Sequence, residues 1–246
     1  MLGILRTLLI LVGTLLLGAC ASTRDVSIRD TTRTFTTVVV DAGHGGRDIG
    51  AFRRSGPPEK IVTLDVATKL ARKLRESDFK IVMTRSSDVF VDLNKRVDIG
   101  NREKDAIFVS IHFNDTSRRA VRGFETYYRS GPARLIAQRI QAKLMTIPGA
   151  VNRGVKAANF RVIKKATIPS VLVECGFLSN GKEGREAGSS AYREVLADRI
   201  AEAIVEARYG SGVYRAKANP ETDQQPGVVP PASSGPGLAP TTLKRP

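Results

Sequence analysis

Apolar positions in this chain fall into short unbroken runs and longer stretches with helical spacing. Val38-Val39-Val40 is a β-branched run that predicts a buried strand. From Glu59 to Ser77, residues Ile61, Leu64, Ala67, Leu70, Ala71 and Leu74 recur three or four apart, which predicts a helix with one apolar face. Lys80 to Thr84 reads as the next strand and Leu93 to Lys104 as a second helix. Ala106 to Ile111 is almost wholly apolar, a third strand, and Phe124 to Tyr128 is a short aromatic one. Pro132 to Met145 is helical, Val171 to Val173 is another buried strand, and Ala191 to Arg208 carries Val195, Leu196, Ile200, Ile204 and Val205 on one face of a last helix. Strands alternating with helices predict a single α/β domain over residues 37–209. Its sheet should be mostly parallel or mixed, twisted, and flanked by helices on both faces.

The two ends break this pattern. Arg6, the apolar run Leu8 to Leu17, and the small residues Gly18 and Ala19 have the three-part layout of a secretory signal over residues 1–19. The run is about ten residues, half of the roughly 20 that a membrane span needs. Leu17-Gly18-Ala19-Cys20 resembles the bacterial lipobox, which implies an exported protein carrying lipid on Cys20 and held to a membrane by it. Residues 20–36 are polar and lack periodicity, so they read as a tether with a reach of at most about 55 Å. Residues 210–246, rich in Pro, Gly, Gln, Ser and Thr from Ala216 on, bury too little apolar surface to offset ordering and read as a disordered tail.

Composition adds a constraint on partners. Hydrophobic residues make up 41% and charged residues 26% of the 246, a balance that supports a packed core. The formal net charge of +15 attracts polyanions, whether nucleic acid, anionic lipid or wall polymer. The basic residues are spread along the chain and there is no Trp, so nucleic acid is not an expected partner. The cysteines are Cys20 and Cys175. With Cys20 lipidated, Cys175 is left in an apolar stretch, where it reads as a small core residue rather than a nucleophile.

The chemistry concentrates at strand ends. His44 and His112 are the chain's two histidines, and each follows a predicted buried strand. Glu174 stands in the same relation to Val171–Val173, and ligands of open α/β sheets bind at that edge. Glu59 opens the first helix after the Gly-rich loop 43–56, which can fold it back toward His44. Two imidazoles and a carboxylate are a familiar zinc set, and a second carboxylate beside them suits a general base. Simpler readings exist for each. A carboxylate at a helix start serves as a dipole partner, and Glu174 within an apolar strand can belong to a buried salt bridge. Gly43, Gly45 and Gly46 match neither phosphate-binding glycine pattern. Spacing alone therefore gives a metallohydrolase without a substrate.

Local motifs go further. Val39-Val40-Asp41-Ala42-Gly43-His44-Gly45-Gly46-Arg47-Asp48 resembles the opening motif of the zinc-dependent N-acetylmuramoyl-L-alanine amidases. Glu59-Lys60, Thr84-Arg85 with Asp88, Leu93 to Arg96, Phe108 to Asn114, Arg153 to Lys156 and Glu174 to Asn180 resemble its later blocks, in order. The resemblance covers nearly the whole domain. It implies Zn2+ held by His44, Glu59 and His112, and Glu174 as the catalytic glutamate. The implied substrate is peptidoglycan, cut between N-acetylmuramic acid and the L-alanine of the stem peptide. Asp41 either orients His44 or serves the turn after its strand. Ala42 and Ile49 stand where the family often has Pro, Cys175 where Thr is more usual, and Gly181-Lys182 where an acidic or Pro-containing turn is commoner. The short segment 114–123 and the single helix over 132–149 leave no room for an inserted autoinhibitory helix, and a monomer is expected. The rivals are another zinc amidohydrolase or peptidase acting on wall peptides, and a non-catalytic wall-binding lipoprotein.

Overall fold

The structure, a computed structural model, describes residues 28–53 and 56–215. Its strands are β1 (Thr37–Ala42), β2 (Lys80–Met83), β3 (Ala106–Asn114), β4 (Phe124–Tyr128), β5 (Asn152–Ala157) and β6 (Ser170–Phe177). The helices are α1 (Glu59–Arg75), α2 (Leu93–Arg102), α3 (Gly131–Leu144), α4 (Arg161–Lys164), α5 (Gly181–Gly188) and α6 (Ser190–Tyr209). The strands form one six-stranded sheet in the order β2-β1-β3-β6-β4-β5. β2, β1, β3 and β6 are mutually parallel, while β4 runs antiparallel to β6 and pairs in parallel with β5. The mixed α/β architecture is the one the apolar pattern predicts.

Side chains alternate across a sheet, and this sorts the core. Val38, Val40, Ile107, Val109, Val171 and Val173 face the large cluster built with α1, α3 and α6. Val39, Phe108 and Leu172 have the opposite parity and pack with Val162 and Ile163 of α4, beside Ile99 of α2. Each fully buried aliphatic side chain contributes about 1.5–3 kcal/mol over exposure, so the two clusters fix strand register firmly. That register has a consequence for chemistry. Asp41, Ser110, His112 and Glu174 share the second face, with Asp41 opposite Ser110 and His112 opposite Glu174.

Both ends of the domain need correction. The described part of the expected tether is bound to the domain: Thr31 Oγ1 donates to the Ala106 carbonyl at 2.6 Å, and Arg29 N to the Thr167 carbonyl at 3.1 Å. Phe35 is fully buried and stacks on Phe79 with centroids 5.4 Å apart. A polar segment of low periodicity thus docks through one aromatic and a few hydrogen bonds, and the free reach of about 55 Å is too long. At the other end, residues 210–215 do not start a disordered tail. Tyr214 Oη donates to Asp198 at 2.8 Å and Gly212 N to Glu206 at 3.4 Å, which folds this stretch against α6. Cys20, the signal segment and the rest of the tail lie outside the described residues. Cys175 is buried, and burial pushes its thiol pKa well up, in keeping with a structural role.

Candidate metal centre and active site

The loop between β1 and α1 builds the centre. Pro58 precedes α1 and offers no side-chain cap. The loop's own carbonyls cap the helix instead: Glu59 N donates to Ala51 O at 2.8 Å and Lys60 N to Ile49 O at 3.3 Å. The chain therefore doubles back, and Glu59, at the positive end of the helix dipole, meets His44. Two glycines make room. A Cβ on Gly43 would lie 2.4 Å from the His112 ring, and one on Gly50, where φ is +63°, would lie 2.6 Å from Glu59 Oε2.

The Glu59 carboxylate joins the two imidazoles. Its Oε2 is 3.1 Å from His44 Nε2, and its Oε1 is 3.1 Å from His112 Nδ1. Oε2 also accepts from Ala51 N at 2.9 Å and Oε1 from Phe113 N at 3.0 Å. The rings of His44 and His112 meet edge to face, with centroids 4.9 Å apart. One ligand atom from each of His44, Glu59 and His112 lies within 4.8 Å of the others. Burial opposes charge on Glu59, yet hydrogen bonds from His112 and His44 hold its carboxyl well below the usual range. Burial likewise opposes the His44 imidazolium, but Glu59 and Asp48 outweigh it and push its pKa up to about 9.

The orienting partner of His44 is Asp48. His44 Nδ1 donates to Asp48 Oδ1 at 2.9 Å, which leaves Nε2 facing the cluster. Asp41, the candidate from sequence, faces elsewhere. Its Oδ1 accepts from Thr84 Oγ1 at 2.6 Å and Arg96 Nη1 at 2.8 Å, and its Oδ2 from Ser110 Oγ at 2.6 Å. Strand parity turns Asp41 toward α2, so it serves the turn. Arg96 is 2% exposed and also donates to the carbonyls of Ala42 and His44, both at 2.5 Å, and of Val91 at 2.9 Å. Arg85 grips the same turn through Ala42 O at 2.9 Å and Gly43 O at 2.7 Å. His44 itself has a left-handed backbone, φ 59°, a conformation that is held by such contacts rather than preferred.

Glu174 lies on β6 beside His112. Its Oε2 is buried without a hydrogen-bond partner among the described residues. Burial, helped by the Glu59 and Glu125 carboxylates and opposed by His112, pushes its pKa up to about 7. The salt bridge that the simpler reading supposes is not there among the described residues. Two imidazole nitrogens and a carboxylate converge, and an orphaned acid sits next to them, which fits a divalent metal with an attacking water. A cleft of about 140 Å³, lined in part by His44, His112, Arg96, Leu93 and Phe160, opens at this point.

All four site residues expected from sequence are thus brought together. Asp48, Arg85, Arg96 and Glu125 were given no such role there. For Asp48 the usable signal is its spacing of four from His44 across a glycine turn, and for Glu125 it is an acid inside an aromatic strand.

A His-Glu-His cluster that could hold a metal ion lies at the carboxyl edge of a mixed sheet, with a desolvated glutamate beside it, in an α/β domain. The family described as N-acetylmuramoyl-L-alanine amidase matches residues 38–206, and the chain belongs to that family. Over 173 residues it is 36% identical to the N-acetylmuramoyl-L-alanine amidase LytC of Bacillus subtilis, a match that covers 69% of this chain and 35% of LytC. The chain therefore spans about a third of that relative's length. The catalytic domain of CwlV, an N-acetylmuramoyl-L-alanine amidase from Bacillus (Paenibacillus) polymyxa, superposes with TM-score 0.67 at 36% identity, over 70% of this chain and 97% of that one. The N-acetylmuramoyl-L-alanine amidase AmiC2 of Nostoc punctiforme gives 0.67 at 35% identity, over 69% and 95%.

Proposed function

We propose that this protein is a zinc-dependent peptidoglycan amidase. It hydrolyses the amide between the lactyl group of N-acetylmuramic acid and the L-alanine of the stem peptide. The observation that carries this is the His44–Glu59–His112 cluster with unpartnered Glu174 on the adjoining strand. His44 Nε2, His112 Nδ1 and the Glu59 carboxylate would hold the ion. A bound zinc supplies an acidified water and polarises the amide carbonyl. Asp48 keeps the proton on His44 Nδ1, so that Nε2 stays a donor to metal. Glu174 Oε2 takes a proton from the attacking water and passes it to the departing amine. A C–O bond forms, the C–N bond breaks, and the products are a lactyl carboxylate and a peptide with a free alanine amino terminus.

The lipobox-like Leu17 to Cys20 supports a lipid-anchored monomer on the envelope side of a membrane. No described helix is long and apolar enough to cross a membrane.

The test is a digest of purified peptidoglycan by the zinc-loaded full-length protein, with the new ends read by mass spectrometry. Free alanine amino termini together with intact muramyl lactyl groups are the expected products. New ends inside the peptide or the glycan would contradict the reading.

A further inference from the structure

The polar face that carries Glu174 continues across β4 to β5. Glu125 of β4 lies opposite Glu174 in the antiparallel register, and its side chain is 3% exposed. Four donors surround its carboxylate: Tyr127 Oη, Arg153 Nε, Lys156 Nζ at 3.1 Å and Asn114 Nδ2 at 3.5 Å. The Lys156 ammonium lies 5.9 Å from the Tyr127 ring centroid, and the Arg153 guanidinium 5.1 Å from that of Phe177. One acid thus fixes two cations, and one positive charge is left over.

Both cations keep free capacity. Among the described residues Arg153 uses only Nε in hydrogen bonds and is 34% exposed, and Lys156 is 44% exposed. Burying a carboxylate is costly, but it holds two long side chains in fixed positions before any ligand arrives, which lowers the ordering cost on binding.

The sheet also supplies a ruler. Neighbouring strands lie about 4.8 Å apart, so β5 is roughly 10 Å from β6. An extended peptide advances about 3.4 Å per residue. A peptide that ran from an amine at Glu174 across β4 would bring a carboxylate on its second residue to the β5 cations, once side-chain reach is added.

We propose that Arg153 and Lys156, positioned by Glu125, form a subsite for a carboxylate on the second residue of the leaving peptide, so that the preferred ligand is an acidic peptide. This rests on the amidase reading above.

The test compares two substrates that differ in that one group: muramoyl-L-alanyl-γ-D-glutamyl-L-alanine, whose second residue keeps one free carboxylate, and the same compound with that carboxylate replaced by a carboxamide. With the zinc-loaded full-length protein, kcat/KM is expected to favour the acid by about 10-fold or more, as for a charge-assisted hydrogen bond. The preference should lie mainly in KM. Replacing both cations, Arg153→Met with Lys156→Met, should collapse that ratio toward one, and Arg153→Lys alone should retain part of it. Equal kcat/KM for the two substrates in the wild type, or an undiminished ratio in the double variant, overturns the subsite. Hydrolysis of neither substrate overturns the amidase reading and the subsite together. Should the double variant fail to fold, calorimetry on the Glu174→Gln protein gives a separate readout. The released peptide L-alanyl-γ-D-glutamyl-L-alanine should bind at least several-fold more tightly than the form with a carboxamide on its second residue, and equal affinities overturn the proposal.

Discussion

Arg96 tests how the site is held. Its guanidinium is buried and makes four contacts, to Asp41 and to the carbonyls of Ala42, His44 and Val91. Arg96→Met removes the charge partner of a fully buried carboxylate and leaves the His44 carbonyl without its guanidinium donor. Breaking a buried pair from one side costs about 3–5 kcal/mol, a large part of the roughly 5–15 kcal/mol that keeps a domain folded. Arg96→Lys keeps the charge but not the planar fork, so it serves fewer of these acceptors and should lose about 1–3 kcal/mol. Asp41→Asn in the Arg96→Met background should cost much less than in the wild type, because the charge it removes is already unpaired. The assay is urea unfolding with the m-value checked for constancy, alongside zinc affinity by chelator competition. The pair also sets an acid limit. Burial opposes charge on Asp41, but Arg96, Ser110 and Thr84 hold its carboxyl below its ordinary range. Its stabilising share is therefore present above the unfolded value of about 3.9 and is lost as pH falls through the lower folded one. If Arg96→Lys matched the wild type in both stability and zinc affinity, the claim that the guanidinium fork holds the His44 turn would be wrong.

Three further outcomes follow from the same geometry. Asp48→Asn should weaken zinc binding by about 10–100-fold with little change in the melting transition, read by metal competition and calorimetry. Gly43→Ala places a Cβ 2.4 Å from the His112 ring and should abolish tight zinc binding, whereas Gly131→Ala, with nothing within 4 Å, should stay within about 0.5 kcal/mol of wild type in denaturant melts. In the metal-free protein His44 is raised to about 9, so its ion-pair stabilisation is complete below about 6.5 and lost as pH climbs through 9. Protons therefore compete with the metal, and apparent zinc affinity should rise between pH 6 and 9; a flat profile would contradict the assignment of His44 Nε2.

The legible parts of the chain are those where packing and pattern agree. β1, β3 and β6 are largely apolar runs buried on both faces, and the places of His44, His112 and Glu174 after or late in these strands follow from that pattern. Glu59 was legible as a helix start, and the loop that returns it to His44 works through ordinary backbone hydrogen bonds. β5 was missed because Asn-Arg-Gly-Val-Lys-Ala has no apolar alternation and forms a partly exposed edge. α4 is a single turn and α5 contains three glycines, too short or too weak for a periodic signal. α5 is fixed by tertiary contacts: Asn180 caps it, and Glu183 accepts from Gly123 N at 2.8 Å and Phe177 N at 2.7 Å. Of the two roles open to Asp41 the structure shows the turn, and Asp48 as the partner of His44 was not legible for a local reason. The turn places His44, Gly45 and Gly46 at positive φ and pairs Gly45 with Asp48, a path that residue spacing does not reveal.

The central claim is that His44, Glu59 and His112 hold a metal while Glu174 moves the proton. The most direct measurement is zinc stoichiometry and turnover of a muramoyl-L-alanyl peptide by the full-length protein and by Glu174→Gln. The account predicts the same bound zinc in both, with kcat of the variant lower by about 10²–10⁴-fold. Wild-type turnover in the variant, or full activity of the wild type stripped of metal, would contradict it.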